Sequence, residues 1–447
     1  MTDLSAPLES AVEPSPTPGW RPWAALAAFY AVCIVIATFP MVMTLSSRLP
    51  YTLYDPLQHI WILRWYRTCL LEGQSFVLSP ELHYPVGAPL GCFSPLHLQA
   101  LLFIPLSLAT GNDVLSFNLV MLGGLLFTAL GTFALVRQVV RDDRAALFGG
   151  LAAMLSGTLM FHASAHLELV YLGGVPLFLA AWLRFMDTPS RARLAAVVGL
   201  YLLVALSAAY FAVFVTIPAA LDVALRSIGA LRRRDWSWIK TRLSWLIGFS
   251  ALVVPLLALL FANQIWAASQ GYPFPPERCE HMYRVQGTPW WSFLTPTIFH
   301  RLGKAVLNLN PELFLAYHSQ LPNAWDQVSY LGVVTIALIG FAAFGRVRFQ
   351  RAGYWWSALG LLVLLACGSS WQIGRYRTDL PAAWLKSYVF AFRMIRVPSR
   401  FNMLATIAAA VVASAGLARL LAGIRSRALG RVVLALLVLL TIADLSI

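Results

Sequence analysis

Apolar runs of bilayer length recur from one end of this sequence to the other, and that repetition constrains the fold more than any motif. A helix crossing the hydrocarbon core needs about 20 consecutive, mostly apolar residues. By run length such segments lie at about 23–44, 115–136, 145–161, 169–186, 192–208, 209–225, 244–263, 327–345, 353–370, 401–420 and 430–447. Composition agrees: 59% of the 447 residues are hydrophobic and 12% charged, where soluble domains run at about 45–50% and about 25%. A soluble globular domain is thereby excluded. The expected fold class is an all-α polytopic membrane protein, with about eleven transmembrane helices in one bundle over 23–447.

Residues 1–22 hold Pro14, Pro16, Pro18 and Gly19 without an apolar run, and read as a disordered tail. The run from Trp23 to Met43 is too long for the core of a signal peptide and has no small-residue cleavage site, so an uncleaved anchor is expected. An N-in start puts 20 of the 33 Lys and Arg residues in short inner loops and the other 13 in three long outer loops, 45–114, 264–326 and 371–400. That is the bias the positive-inside rule requires, and it sets the N-terminus in the cytoplasm. The formal charge of +14 is therefore assigned to orientation and anionic lipids rather than to nucleic acid. The outer loops, rich in aromatic residues and proline, are expected to lie on the membrane. Residues 56–71 carry Trp61, Trp65 and Tyr66 beside Arg64 and Arg67, which suits an interfacial helix. Residues 93–110, interrupted by Pro95 and Pro105, read as a re-entrant or surface segment. No internal repeat is visible, which argues against an inverted-repeat transporter. The five cysteines form no C-x-x-C pair, and their odd number excludes a fully paired framework. The sequence stops at Ile447 inside or just after the eleventh run, so a further C-terminal portion is expected.

Three places can carry chemistry. Asp55, in Tyr54-Asp55-Pro56-Leu57-Gln58, is a carboxylate at the water–membrane boundary, able to take a proton from a bound hydroxyl. The same residues also spell a helix start, with an N-cap, Pro at N1 and the second member of a capping box. His162, His166 and Glu168 crowd the loop after the third run, and ionisable groups at membrane depth are usually functional. In a continuous helix His162 and His166 share a face while Glu168 points elsewhere, so all three converge only where the helix breaks. An H-x-x-x-H pair can bind a metal, but no third ligand of fitting geometry is legible, and water-bonded interfacial histidines account for the pattern equally well. The third place is Phe392 to Phe401. The 371–400 loop carries six basic residues against the positive-inside trend. Arg393 and Arg396 stand at i, i+3, and guanidinium forks suit phosphate; snorkelling to lipid phosphates is the plain alternative. Pro398 marks a kink or helix start, with Arg400 at the boundary. Among lesser features, Glu277 to His281 reads as a solvated charge cluster and Asp326 as the cap of the span from 327. No P-loop, G-x-G-x-x-G or G-x-S-x-G is present, so nucleotide hydrolysis and serine-hydrolase chemistry have no support.

The order of these features is familiar. An uncleaved first span leads to Asp55 opening an amphipathic helix, then Tyr84-Pro85-Val86-Gly87-Ala88-Pro89-Leu90, then Ser116-Phe117-Asn118 ahead of a span. The basic turn Arg137 to Arg144 follows, then the His162/His166/Glu168 loop before Pro176-Leu177, and Arg396-Val397-Pro398-Ser399-Arg400-Phe401. This order, over residues 24 to 420, resembles bacterial membrane proteins of the GT-C glycosyltransferase superfamily, in particular the YfhO-like branch. The resemblance implies an enzyme of the bacterial inner membrane. It would take a sugar from a polyprenyl-phosphate carrier and pass it to a glycan, lipid or protein acceptor on the outer face. Asp55 matches the first-loop carboxylate that serves such families as base or acceptor-positioning group, and Glu168 with His162 and His166 matches the second cluster of the site. Arg393, Arg396 and Arg400 would steady the donor phosphate as charge develops on it, in a direct displacement that inverts the anomeric carbon. Glu168 stands alone rather than in a paired-acid motif, so no cofactor is expected and a divalent metal has no support. The resemblance further implies a C-terminal outer domain, which many relatives carry, beyond the stretch that ends at Ile447.

Two other classes compete. A transporter or lipid-carrier flippase would place ionisable groups near the bilayer midplane; Asp222 and Asp444, within apolar runs though near their ends, are the residues that favour it. A binding or assembly protein with a decayed site is the other reading.

Overall fold

The computed structural model describes residues 20–50, 55–271, 283, 286–296, 300, 303, 305, 310, 312, 326–373, 376–389, 392 and 395–445. Along the chain run α1 (Trp20–Ala37), α2 (Asp55–Glu72), the strands β1 (Leu78–Ser79) and β2 (Ala88–Pro89), α3 (His97–Thr110), α4 (Asp113–Val140), α5 (Asp143–Met154) and α6 (Gly157–Ala163). Next come α7 (Leu167–Val170), α8 (Gly174–Asp187), α9 (Arg191–Ser207), α10 (Ala209–Arg232), α11 (Trp236–Leu260) and α12 (Ala262–Ser269). After them stand α13 (Val333–Phe344), α14 (Ala352–Ala366), β3 (Ser370–Ile373), β4 (Tyr376–Asp379), α15 (Pro381–Tyr388), α16 (Asn402–Ala422) and α17 (Arg427–Leu445).

Among the described residues five helical stretches are each long and apolar enough to cross a membrane: α4 (28 residues), α10 (24), α11 (25), Pro398–Ala422 (25) and α17 (19). The α5–α6 pair, bent by 49° at its break, passes the same test as one unit. The protein is a multi-pass helical membrane protein. Each of the eleven apolar runs contains helix, but α8, α9, α13 and α14 stop at 14, 17, 12 and 15 residues. The described helices therefore do not by length supply eleven full crossings. Within the 93–110 segment Pro95 precedes α3, which then continues through Pro105 to Thr110 without the interruption expected there. It ends where Gly111, at φ +64°, donates its N–H to the Ser107 carbonyl, a left-handed cap that suits glycine. One interior proline removes a single ladder hydrogen bond, and a helix packed along an apolar face tolerates that loss.

Two compact units divide the chain, one of residues 1–43, 125–162 and 282–447, the other of 44–124 and 163–281. In the first, α16 is buried along almost its whole length and packs against α5, α13 and α14. Its alanines and Gly416 let backbones approach closely, as small residues do between membrane helices. Phe148, Val334, Leu338, Ala413 and Leu417 fill the seam. Asp142 caps α5 by accepting from the backbone N–H groups of Arg144 and Ala145 at 2.9 and 3.0 Å. Tyr30 of α1 donates its hydroxyl to the Leu147 carbonyl at 3.0 Å. A Cβ on Gly150 would collide with that hydroxyl and lie 2.6 Å from the Ala129 carbonyl oxygen. Gly150→Ala is accordingly expected to destabilise by about 1–3 kcal/mol through overpacking. Gly199→Ala, at an exposed site in α9 with nothing within 4 Å, should instead stabilise by about 0.5–1 kcal/mol. Thermal unfolding of both variants in detergent checks the pair, and equal midpoints would refute the close-approach argument.

In the second unit α2 buries Pro56, His59, Ile62, Leu63, Trp65 and Cys69 along one side and packs on α3. Its basic residues turn to α4: Arg64 and Arg67 reach the Asp113 carboxylate at 3.1 and 2.6 Å. Tyr171 donates to the Val120 carbonyl at 2.7 Å, and the Asn118 amide ties down the Leu45 and Arg48 carbonyls at 2.7 and 2.8 Å. α9 packs on α8, α10 and α11. The segment leading to α7 is thereby seated in a built frame.

Candidate active site

The site begins with the helical spacing of two residues on α2. Asp55 and His59 stand at i, i+4 and so face the same way, one turn apart. Opposite them the chain breaks. α6 ends at Ala163, and His166, with φ −117° and ψ 89°, precedes α7 in a non-helical conformation. His166 and Glu168 turn to α2. His166 Nε2 lies 3.2 Å from Asp55 Oδ2. His59 Nε2 lies 3.5 Å from Glu168 Oε2. These four side chains form a ladder of two carboxylate–imidazole rungs, all within the second unit.

The rungs differ in access. Asp55 and His166 are 43% and 13% exposed at the side chain, His59 and Glu168 only 5% and 4%. The buried rung has its tautomer fixed, because the Leu167 backbone N–H donates to His59 Nδ1 at 3.4 Å. The His59 proton therefore sits on Nε2, facing the Glu168 carboxylate. The open rung can accept a proton from a hydroxyl that reaches it. Farther along α2, Tyr66 stacks on His97 with ring centroids 6.1 Å apart. Burial pushes the Tyr66 phenol up to about 12 and holds His97 below the usual imidazole value.

The first unit holds a second buried group. Asp326 Oδ1 takes Arg400 Nε at 3.3 Å and has His162 Nε2 at 4.0 Å, with all three side chains less than a tenth exposed. Segment 326–330 is stitched in place by backbone and side-chain bonds. Gly157 N–H donates to the Tyr330 carbonyl at 3.3 Å and Thr158 Oγ1 to the Val328 carbonyl at 2.8 Å. Asn402 Nδ2 donates to Ser329 Oγ at 2.8 Å. Pro398 does start a helical turn: Pro398–Phe401 is a 3-10 segment running into α16, with Arg400 at the boundary. Arg396 is half-buried just before it. Arg393 and the Glu277–His281 cluster lie outside the described residues.

Two readings of acidic residues change. Asp326 does not cap the helix that follows, because α13 begins only at Val333, and Asp444 takes that role by accepting the Val333 N–H at 2.7 Å. Asp444 also accepts from the Tyr330 hydroxyl at 3.2 Å and has His300 Nε2 at 3.5 Å. Asp222 is chelated by Arg226 Nε at 2.8 and 2.9 Å, and Arg226 bonds Asp187 at 2.9 Å. Asp444 thus joins α17 to α13, and Arg226 links Asp222 of α10 to Asp187 of α8. His59 was missed as a site residue, although its i, i+4 spacing from Asp55 was visible.

Among solved structures the chain is similar to the oligosaccharyltransferase of Archaeoglobus fulgidus in its apo form, with a TM-score of 0.52 and 14% identity over 95% of this chain and 56% of that one. A lesser similarity is to ArnT from Cupriavidus metallidurans bound to undecaprenyl phosphate, at a TM-score of 0.39 and 15% identity over 90% of this chain and 78% of that one. The chain thus spans little more than half the length of the archaeal enzyme, whose fold it shares over that stretch. The chain belongs to the family of DUF6311, a domain of unknown function, whose model matches residues 24–446. No curated protein matches the sequence.

Proposed function

We propose that this protein is a membrane glycosyltransferase that moves a sugar from a polyprenyl-phosphate donor to a glycan, lipid or protein acceptor. The observation that carries the reading is the open rung, a carboxylate 43% exposed with an imidazole 3.2 Å away. Asp55 takes up or orients the acceptor's hydroxyl proton as the new bond forms at the anomeric carbon. The bond to the donor phosphate breaks, the electron pair leaves with the polyprenyl phosphate, and configuration inverts. Arg396, with Arg393 and Arg400, answers the charge on the leaving phosphate. Asp326, with His162 beside it, orients the Arg400 guanidinium through Nε at 3.3 Å. The fold shared with an oligosaccharyltransferase supports glycosyl transfer as the reaction class. The inner-loop bias of Lys and Arg supports a cytoplasmic N-terminus and a site on the outer face of the bacterial inner membrane. Kinship to the YfhO-like branch rests on the order of motifs alone.

The test is transfer of a labelled sugar from a panel of polyprenyl-phosphate sugars by the purified protein in liposomes. Turnover with one donor and release of free polyprenyl phosphate is expected. A folded protein that binds polyprenyl phosphate yet turns over no donor overturns the reading.

A further inference from the structure

We propose that His59 is a positioning residue that sets the geometry of the Asp55–His166 pair by gripping the chain immediately beyond His166. Its imidazole uses both nitrogens. Nδ1 accepts from Leu167 N–H at 3.4 Å, and Nε2 faces Glu168 Oε2 at 3.5 Å. The first contact holds the peptide unit that joins His166 to Leu167; the second holds the side chain one residue further on. A ring engaged on both sides and only 4% exposed meets no acceptor, so its effect on chemistry passes through what it holds. α2 presents Asp55 one turn away on the same side, so two points on one rigid helix fix two points on a short irregular segment. Precise sites need such support from regular elements. The same arrangement accounts for the buried Glu168, which anchors His59 while the open rung handles the proton.

The inference rests on the transferase reading, and the test separates the two. His59→Leu should lower kcat about 100-fold, the scale of a 1 Å misplacement, with KM for the donor little changed. His59→Gln, which keeps a donor towards Glu168, should recover most of the rate. His59→Leu with Glu168→Leu should be no slower than the slower single variant, because both break one clamp. Thermal unfolding of wild type, the two leucine singles and their double gives an activity-free cycle, in which the double variant loses clearly less stability than the two singles added together. Additive losses in that cycle overturn the clamp whether or not the wild type transfers sugar. Equal rates for wild type and His59→Leu overturn its effect on catalysis. If the wild type transfers nothing while the thermal cycle stays non-additive, the clamp stands and the transferase reading falls.

Discussion

Asp55→Asn should lower sugar transfer by about 10²–10⁴-fold, the range a positioned general base contributes, while donor binding and folding persist. Asparagine is the informative replacement. It matches aspartate in size and starts helices as well, so α2 keeps its beginning, and an amide can still meet His166 across the 3.2 Å rung. What it cannot do is take a proton. If Asp55 only capped the helix, Asp55→Ala would cost about 0.5–2 kcal/mol of stability and Asp55→Asn would leave the rate alone. Rate and melting temperature measured on the same reconstituted samples separate the two roles, and an Asp55→Asn protein with wild-type turnover would reduce Asp55 to a cap.

Arg400→Ala should cost about 3–5 kcal/mol of stability, because it strands a buried carboxylate that has lost its cation. Asp326 is 9% exposed at the side chain and Arg400 8%, so water cannot screen the loss. The companion is Arg400→Met with Asp326→Leu, which replaces the pair by apolar groups of similar length and should recover most of the stability. Transfer should not recover with it, since no guanidinium is left at that position to hold the donor phosphate. A double variant that regains both melting temperature and turnover would make Arg400 a purely architectural residue.

The parts of the structure legible in the sequence are those governed by short-range patterns. Asp55-Pro56 announces α2, which spans Asp55–Glu72 against an expected 56–71. Pro398 likewise announces the turn at Arg400, and the apolar runs mark where membrane helices lie. The rest depends on distance along the chain. His59 meets Leu167 across 108 residues, and one histidine in an aromatic-rich helix carries no mark of that partner. Asp326 meets Arg400 across 74 residues, so it reads as a local cap. Asp444 lies in an apolar run and reads as a residue favouring a transporter, since its partner at Val333 is 111 residues earlier. Pro105 misleads for the opposite reason: a local rule says break, and packing of the surrounding helix prevails.

The hold of Asp444 on Val333 also bears on biosynthesis. α13 receives its N-terminal acceptor from a residue made 111 positions later. At ribosomal speeds of about 5–20 residues per second, that is a delay of roughly 6–22 s. Until then the leading N–H groups of α13 must be hydrated, or satisfied by the insertion machinery, because bare hydrocarbon leaves them without partners. The arrival of α17 therefore supplies the Val333 N–H with a partner that the nascent chain cannot offer earlier.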